Sequence, residues 1–207
     1  ILANDMGGAP LARELALTQE AGQFGGLIVG SMLGPTIVFT IPVGLGIIKA
    51  EDRPHLATGV LAGVVTVPIG SFVGGLAAGF PLSMVLRNLV PIVLIAVLIA
   101  LGLFLIPGGM VGGLLGMNDV AAAGMVATLA NNIPMFQMMG GMDRRGKIIN
   151  VAFAVSASFV FGDHLGFTAG FDATMLFPMI VGKLVGGVTA VAAAMLLTRK
   201  DRREDHG

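Results

Sequence analysis

Polar residues that interrupt long apolar runs are the first candidates for chemistry in this sequence of 207 residues. An ionisable group among apolar neighbours is costly to hold in lipid, so it asks for a functional reading and a partner. Asn4-Asp5-Met6-Gly7-Gly8 sets an amide and a carboxylate ahead of two glycines that let the backbone open. Asn131-Asn132-Ile133-Pro134 sets two amides ahead of a proline that interrupts a helix. Breaks of this kind expose backbone N–H and C=O groups to a ligand; the plainer role of both pairs is helix capping. Gly162-Asp163-His164-Leu165-Gly166 places a carboxylate next to an imidazole that titrates near neutrality, which suits substrate contact or gating. Neighbouring residues on a helix diverge by about 100°, which argues against a catalytic dyad and leaves a polar helix end as the plain alternative. Lys183 stands alone in an apolar stretch and is expected to snorkel to the interface.

The elements that must position these groups are membrane helices. Of the residues 55% are hydrophobic and 12% charged, and the mean hydropathy is +0.91, well outside the range of soluble domains. The 12 Lys and Arg balance the 12 Asp and Glu and sit in short runs, so that Pro54 to Leu86 and Asn88 to Asn118 hold none of the four. Basic residues confined to loops and a tail give no nucleic-acid surface. Cysteine is absent, the histidines at 55, 164 and 206 are too dispersed for a zinc motif, and no phosphate loop or hydrolase elbow occurs. Neither a metal nor another cofactor is therefore expected. The chain opens on Ile1 without a signal-peptide n-region, and the expectation is that residues precede it in the whole protein.

A helix needs about 20 apolar residues to cross the hydrocarbon. That length picks out Phe24 to Ile48, His55 to Phe80, Leu89 to Ile106, Ile148 to Phe167 and Met175 to Leu197. The stretch from Val120 to Met139 contains Asn131, Asn132 and Pro134 and reads as a broken or re-entrant helix. The fold class is all-α, a polytopic transmembrane bundle, because strands of a barrel would alternate polar and apolar residues. Pro35 and Pro42 interrupt the first span, where packing is the plain explanation, with Thr36 and Thr40 placed to satisfy freed carbonyls or to face a pathway. Gly59 with Gly63, and Gly182 with Gly186, have the spacing that lets membrane helices approach closely. Met135, Met138, Met139 and Met142 read as apolar filler.

Lys and Arg orient the bundle. Arg144, Arg145 and Lys147 form one basic loop, and Arg199, Lys200, Arg202 and Arg203 form the tail. Positive-inside bias places both, and the Lys49 to Arg53 loop, in the cytoplasm. The chain also repeats itself. Leu2-Ala3-Asn4-Asp5 matches Leu129-Ala130-Asn131-Asn132, Val38-Phe39 matches Val160-Phe161, and Gly59-x-Leu61-x-Gly63-x-Val65-Thr66 matches Gly182-x-Leu184-x-Gly186-x-Val188-Thr189, at offsets of 127, 122 and 123. Halves 1–80 and 120–198 of one transporter domain, joined through 107–118, would then have opposite orientations, as in many secondary transporters.

Several stretches resemble one family. Asn4-Asp5-Met6-Gly7-Gly8, the run Gly30 to Phe39, Ala121 to Phe136 (AAAGMVATLANNIPMF), Gly162 to Phe167 and Phe177 to Leu184 are closely similar to the bacterial ethanolamine permease family, EutH. The resemblance covers nearly the whole chain and implies uptake of ethanolamine across the bacterial inner membrane. It departs in two places: family members carry helices before the segment matching Ile1, and further membrane segments where this chain has the short Gly-rich connection Pro107 to Asn118. A chain entering that connection from the cytoplasm and returning to a cytoplasmic Arg144 loop needs a re-entrant hairpin at Val120 to Met139, or the missing helices.

Ethanolamine is mostly a cation near pH 7, so its site wants a carboxylate for the ammonium and an amide for the hydroxyl. Asp5 with Asn4, Asn131 and Asn132 offers those groups, and Asp163 beside His164 offers a second set. The partners expected are this small molecule and the lipid bilayer. A non-transporting scaffold or sensor, and an intramembrane enzyme using Asp163 and His164, are the readings from other classes.

Overall fold

The computed structural model describes residues 6–105 and 117–198. Among them no strand occurs, and the chain is a bundle of helices. Helix α1 spans Ala9–Leu15. Helix α2, Gln19–Ile47, is continuous and is followed by α3, Arg53–Ala77, and α4, Leu82–Leu105. Then come α5, Asp119–Thr128, α6, Asn132–Met138, and α7, Arg144–Ala157. The last two are α8, Asp163–Phe171, and α9, Leu176–Leu197. Among the described residues three segments are long and apolar enough to cross a membrane: Gln19–Ile47, Ala50–Ala77 and Ala173–Leu197. The first keeps its helical path past Pro35 and Pro42, with π-type turns over Phe24–Val29 and Thr36–Thr40.

The stretch from Val120 to Met139 is broken as expected, and it doubles back. Asn118 caps α5 by accepting from the Ala121 amide at 3.0 Å, while its own Nδ2 donates to the Gly141 carbonyl at 2.9 Å. The Asn118 amide also donates to Asp143 Oδ1 at 3.2 Å, the oxygen that caps α7 through the Gly146 amide at 3.2 Å. The two feet of the α5–α6 hairpin are thus tied together. Its helices, of 10 and 7 residues, are about 15 and 10 Å long, so the hairpin enters from one end of the bundle and returns to that end. Met135 and Met139 are fully buried in the core and Met142 nearly so, the filling role expected of them.

The Ile148 to Phe167 span, by contrast, is not one helix. It stops at Ala157, passes through an irregular link, and restarts at Asp163. Phe159 sits in this link at φ 62°, a left-handed conformation that a bulky residue seldom adopts. Asp163 and His164 therefore open a second half-helix rather than end a long one.

Two ends of the bundle are defined by charge. At one, Lys147 Nζ lies 2.5 Å from Asp52 Oδ1, with His55 Nδ1 3.5 Å from the same oxygen. Arg145 donates to the Thr198 carbonyl at 3.3 Å there, so the turn before α3, the first turn of α7 and the end of α9 are neighbours. At the other end, Gln23 Nε2 donates to Asp172 Oδ2 at 2.5 Å and the Arg13 guanidinium lies 5.8 Å from the Phe171 ring centre. Burial raises the Asp172 pKa, but hydrogen bonds from the Thr174 side chain, Gln23 and the Thr174 amide, with the Arg13 charge, outweigh it and hold the carboxyl below its ordinary value.

Between the ends, α3 and α9 cross in near contact of their backbones. A Cβ placed on Gly70 would lie 2.6 Å from the Gly182 carbonyl oxygen and 2.8 Å from Gly186 Cα, and one on Gly63 would lie 2.5 Å from Val155 Cγ2. The glycine spacing in the sequence is used for close approach, to α7 by Gly59 and Gly63 and to α3 by Gly182.

Gly70→Ala should therefore destabilise the bundle by roughly 1–3 kcal/mol, read as earlier thermal unfolding in detergent. Gly46→Ala, with nothing within 4 Å of its added Cβ, should not. Because the folded Asp172 pKa is depressed, its contribution is full above the ordinary carboxylate value and is lost as pH falls through the lowered one. Unfolding followed against pH should show no part from this group at neutrality, and Asp172→Asn should flatten only the acid limb below about pH 4.

Candidate functional site

The interruptions meet one another inside the bundle. The last carbonyls of the α5 region, which an uninterrupted helix would have used itself, accept from the irregular link of the α7–α8 segment. The Phe159 amide donates to the Thr128 carbonyl at 3.2 Å and the Phe161 amide to the Leu129 carbonyl at 2.9 Å. These bonds hold the link open and explain how Phe159 keeps its strained backbone.

Around this junction the amides divide their work. Asn131 is spent on capping: its Oδ1 accepts from the Ile133 amide at 2.8 Å at the start of α6. Asn132 is fully buried and donates through Nδ2 to Thr40 Oγ1 of α2 at 2.9 Å. Its Oδ1 is buried with no hydrogen-bond partner, an acceptor left for a ligand or water. The Thr36 hydroxyl is shared between the Met32 carbonyl at 3.1 Å and the Val155 carbonyl of α7 at 3.2 Å, neither of which is the carbonyl that Pro35 frees.

Lys183 does not snorkel. It is fully buried, and Nζ donates to the Ser31 carbonyl. That carbonyl lies four residues before Pro35, which has no N–H to offer it. A donor from α9 thus closes the opening that a proline makes in α2, which is why the side chain turns inward rather than toward the interface.

Beside the junction lies a cavity of about 220 Å³. Pro35 and Phe39 of α2 form one wall, Phe159, Asp163, His164 and Phe167 the other, and Met6 and Gly7, just ahead of α1, close it. His164 is buried and Asp163 exposed at the rim. The Phe39 and Phe159 rings meet edge to face with centres 5.2 Å apart, and the His164 ring lies 5.2 Å from that of Phe159. The structure thus gathers Asp163 and His164 into one cavity with the residues that follow Asn4 and Asp5. Asn4 and Asp5 themselves lie outside the described residues. Asn131 and Asn132 stand in the adjoining layer, across Thr40 and the hairpin tip.

The three phenylalanines are the cavity residues that sequence reasoning missed. Phe39 fell within the repeat match, but its partner there, Phe161, is exposed, and the ring that meets Phe39 belongs to Phe159. An aromatic residue inside an apolar run carries no mark of its own.

Broken half-helices crossing beside a small cavity, among spans long enough to cross a bilayer, define a polytopic membrane protein with the layout of a solute permease. The chain belongs to the EutH family of ethanolamine utilisation proteins, whose model matches residues 1–114 and 109–197. It is 51% identical over 273 positions to the probable ethanolamine permease EutH of Listeria monocytogenes, covering 97% of this chain and 73% of the relative. The protein of the same name from Salmonella typhimurium is 42% identical over 298 positions, with the same coverage. The uncharacterized protein YxeR of Bacillus subtilis is 39% identical over 271, covering 96% of this chain and 73% of the relative. No solved structure matches. The aligned lengths exceed the 207 residues of this chain, and the two matched pieces meet at 109–114, so the relatives carry sequence there that this chain lacks.

If Lys183 serves the opening at Pro35, the two must couple. Lys183→Met should cost about 1–3 kcal/mol by leaving the Ser31 carbonyl without that donor. Restoring an amide there with Pro35→Ala should recover a large part of the loss, whereas Pro35→Ala alone should not stabilise to the same degree. Thermal unfolding of the four members of the cycle measures this coupling.

Proposed function

We propose that this protein takes up ethanolamine across the bacterial inner membrane, as a facilitator or secondary transporter. The observation that carries the reading is the cavity where the helix breaks meet, which sets the Asp163 carboxylate and the His164 imidazole among aromatic walls. It goes together with a family whose members are named as ethanolamine permeases. An ammonium pairs best with a carboxylate, and Asp163 is the carboxylate on this cavity's rim. Asn4 and Asp5, which directly precede the lining residues Met6 and Gly7 in sequence, are proposed as further substrate groups. The free Oδ1 of Asn132 is the acceptor for a substrate hydroxyl or ammonium that passes the junction, and Asn131 fixes the half-helix that presents it. His164 on this reading belongs to substrate contact rather than to a catalytic pair.

The basic end of the bundle is the cytoplasmic one on this reading, and the C-terminal tail with Arg199, Lys200, Arg202 and Arg203 is assigned to the cytoplasm by its charge. An inverted duplication relates 1–80 to 120–198. Two features favour it. Helices α1 and α6 both start beside the junction and run to opposite ends, to Arg13 near Phe171 and to Gly141 near Asn118. Gly63 packs on Val155 while Gly186 packs on Met32, contacts that exchange under an offset of 123.

Cells making the protein should accumulate radiolabelled ethanolamine saturably, and Asp163→Asn should reduce uptake at limiting substrate by about 10- to 100-fold, the worth of one charge-assisted bond. No uptake above that of cells without the protein defeats the transport reading. Unchanged uptake in Asp163→Asn removes that carboxylate from the site.

A further inference from the structure

The cavity is unevenly furnished for a molecule with an amine at one end and a hydroxyl at the other. Asp163 and His164 are the lining side chains with charged or polar atoms; the remaining side chains of the wall are aromatic or aliphatic. Phe159 is held by Phe39 at 5.2 Å, edge to face, and by the His164 ring at 5.2 Å, and its backbone is fixed in the left-handed region. Phe167 is likewise fixed, stacked on Phe171 at 5.5 Å. Rings held in place around a carboxylate favour a cation over their faces, the more so where water is excluded. A neutral hydroxyl gains little from such faces.

Size points the same way. A water molecule takes about 30 Å³ of liquid, so a cavity of about 220 Å³ exceeds what the four heavy atoms of ethanolamine fill. Methyl groups on the nitrogen would occupy that space, keep the charge, and lie against phenylalanine.

We propose that this cavity is an aromatic cage that selects the ammonium end of its substrate, so that N-methylated aminoalcohols and short alkylamines are ligands beside ethanolamine. The proposal rests on the transport reading and adds to it a substrate class and the residues that set it, Phe39, Phe159 and Phe167.

The test is competition against radiolabelled ethanolamine uptake in cells making the protein. N,N-dimethylethanolamine and ethylamine should compete with inhibition constants within about tenfold of the ethanolamine KM. Ethylene glycol, which keeps the hydroxyl and lacks the charge, should not compete at large excess. Phe39→Leu, which keeps bulk and removes the ring, should raise the inhibition constant of the dimethyl compound about five- to tenfold, and Phe39→Tyr should hold it within about twofold. Should Phe39→Leu fail to reach the membrane, Phe167→Leu against Phe167→Tyr makes the same comparison. Absence of saturable ethanolamine uptake by the unaltered protein overturns the transport reading itself. Saturable uptake that the methylated amine and ethylamine leave untouched, or that ethylene glycol inhibits equally, overturns the cage alone. So does a leucine variant indistinguishable from its tyrosine counterpart.

Discussion

A backbone amide or carbonyl left unpaired in hydrocarbon costs several kcal/mol, so a membrane protein can interrupt a helix only where something else completes the pairing. This bundle meets that constraint by letting its interruptions complete one another. The carbonyls of Thr128 and Leu129 take the amides of Phe159 and Phe161, and the carbonyl opened by Pro35 takes Lys183 Nζ. Neither the hairpin tip nor the α7–α8 link could hold its shape alone. The position of the cavity follows, since irregular backbone is tolerable only where several irregular segments coincide, and that coincidence is also where packing leaves space.

The ends of the bundle obey a different rule, since water is near and charge is affordable there. Asp52 and Lys147 join α3 to α7 where both begin, and Gln23 with Asp172 joins α2 to the loop before α9. Between these ties the helices meet through glycine, with backbone against backbone at Gly70 and Gly182. Contacts of that kind are dispersion-dominated and depend on shape, which lets the polar groups of the middle be reserved for the junction and the cavity.

Much of this was legible in the sequence. Chargeless runs marked the helices, glycine spacing marked the close crossings, and Asn131-Asn132 ahead of Pro134 marked the hairpin tip. The break inside Ile148 to Phe167 was not legible, because Ser158 to Phe161 carries no proline and reads as an apolar continuation. It exists because a different segment supplies the acceptors, and that is a tertiary fact. Lys183 misled for a related reason. Snorkelling is the cheaper outcome for a lone lysine, unless a proline 148 residues earlier in the chain has opened a carbonyl within its reach. Asn131 and Asn132 look alike in sequence, and only the direction of α6 separates the cap from the buried acceptor.

The α5–α6 hairpin has a further consequence for how the protein is made. Its helices of 10 and 7 residues are each too short to enter the bilayer as independent spans, and their joining turn has carbonyls that lipid cannot satisfy. The acceptors' partners, Phe159 and Phe161, are synthesised afterwards. The hairpin must therefore wait at the membrane surface until α7 and the segment beyond it have been inserted, and then fold inward against them. Assembly of this bundle is ordered in time, the hairpin's carbonyls being paired only after the α7–α8 link has been made.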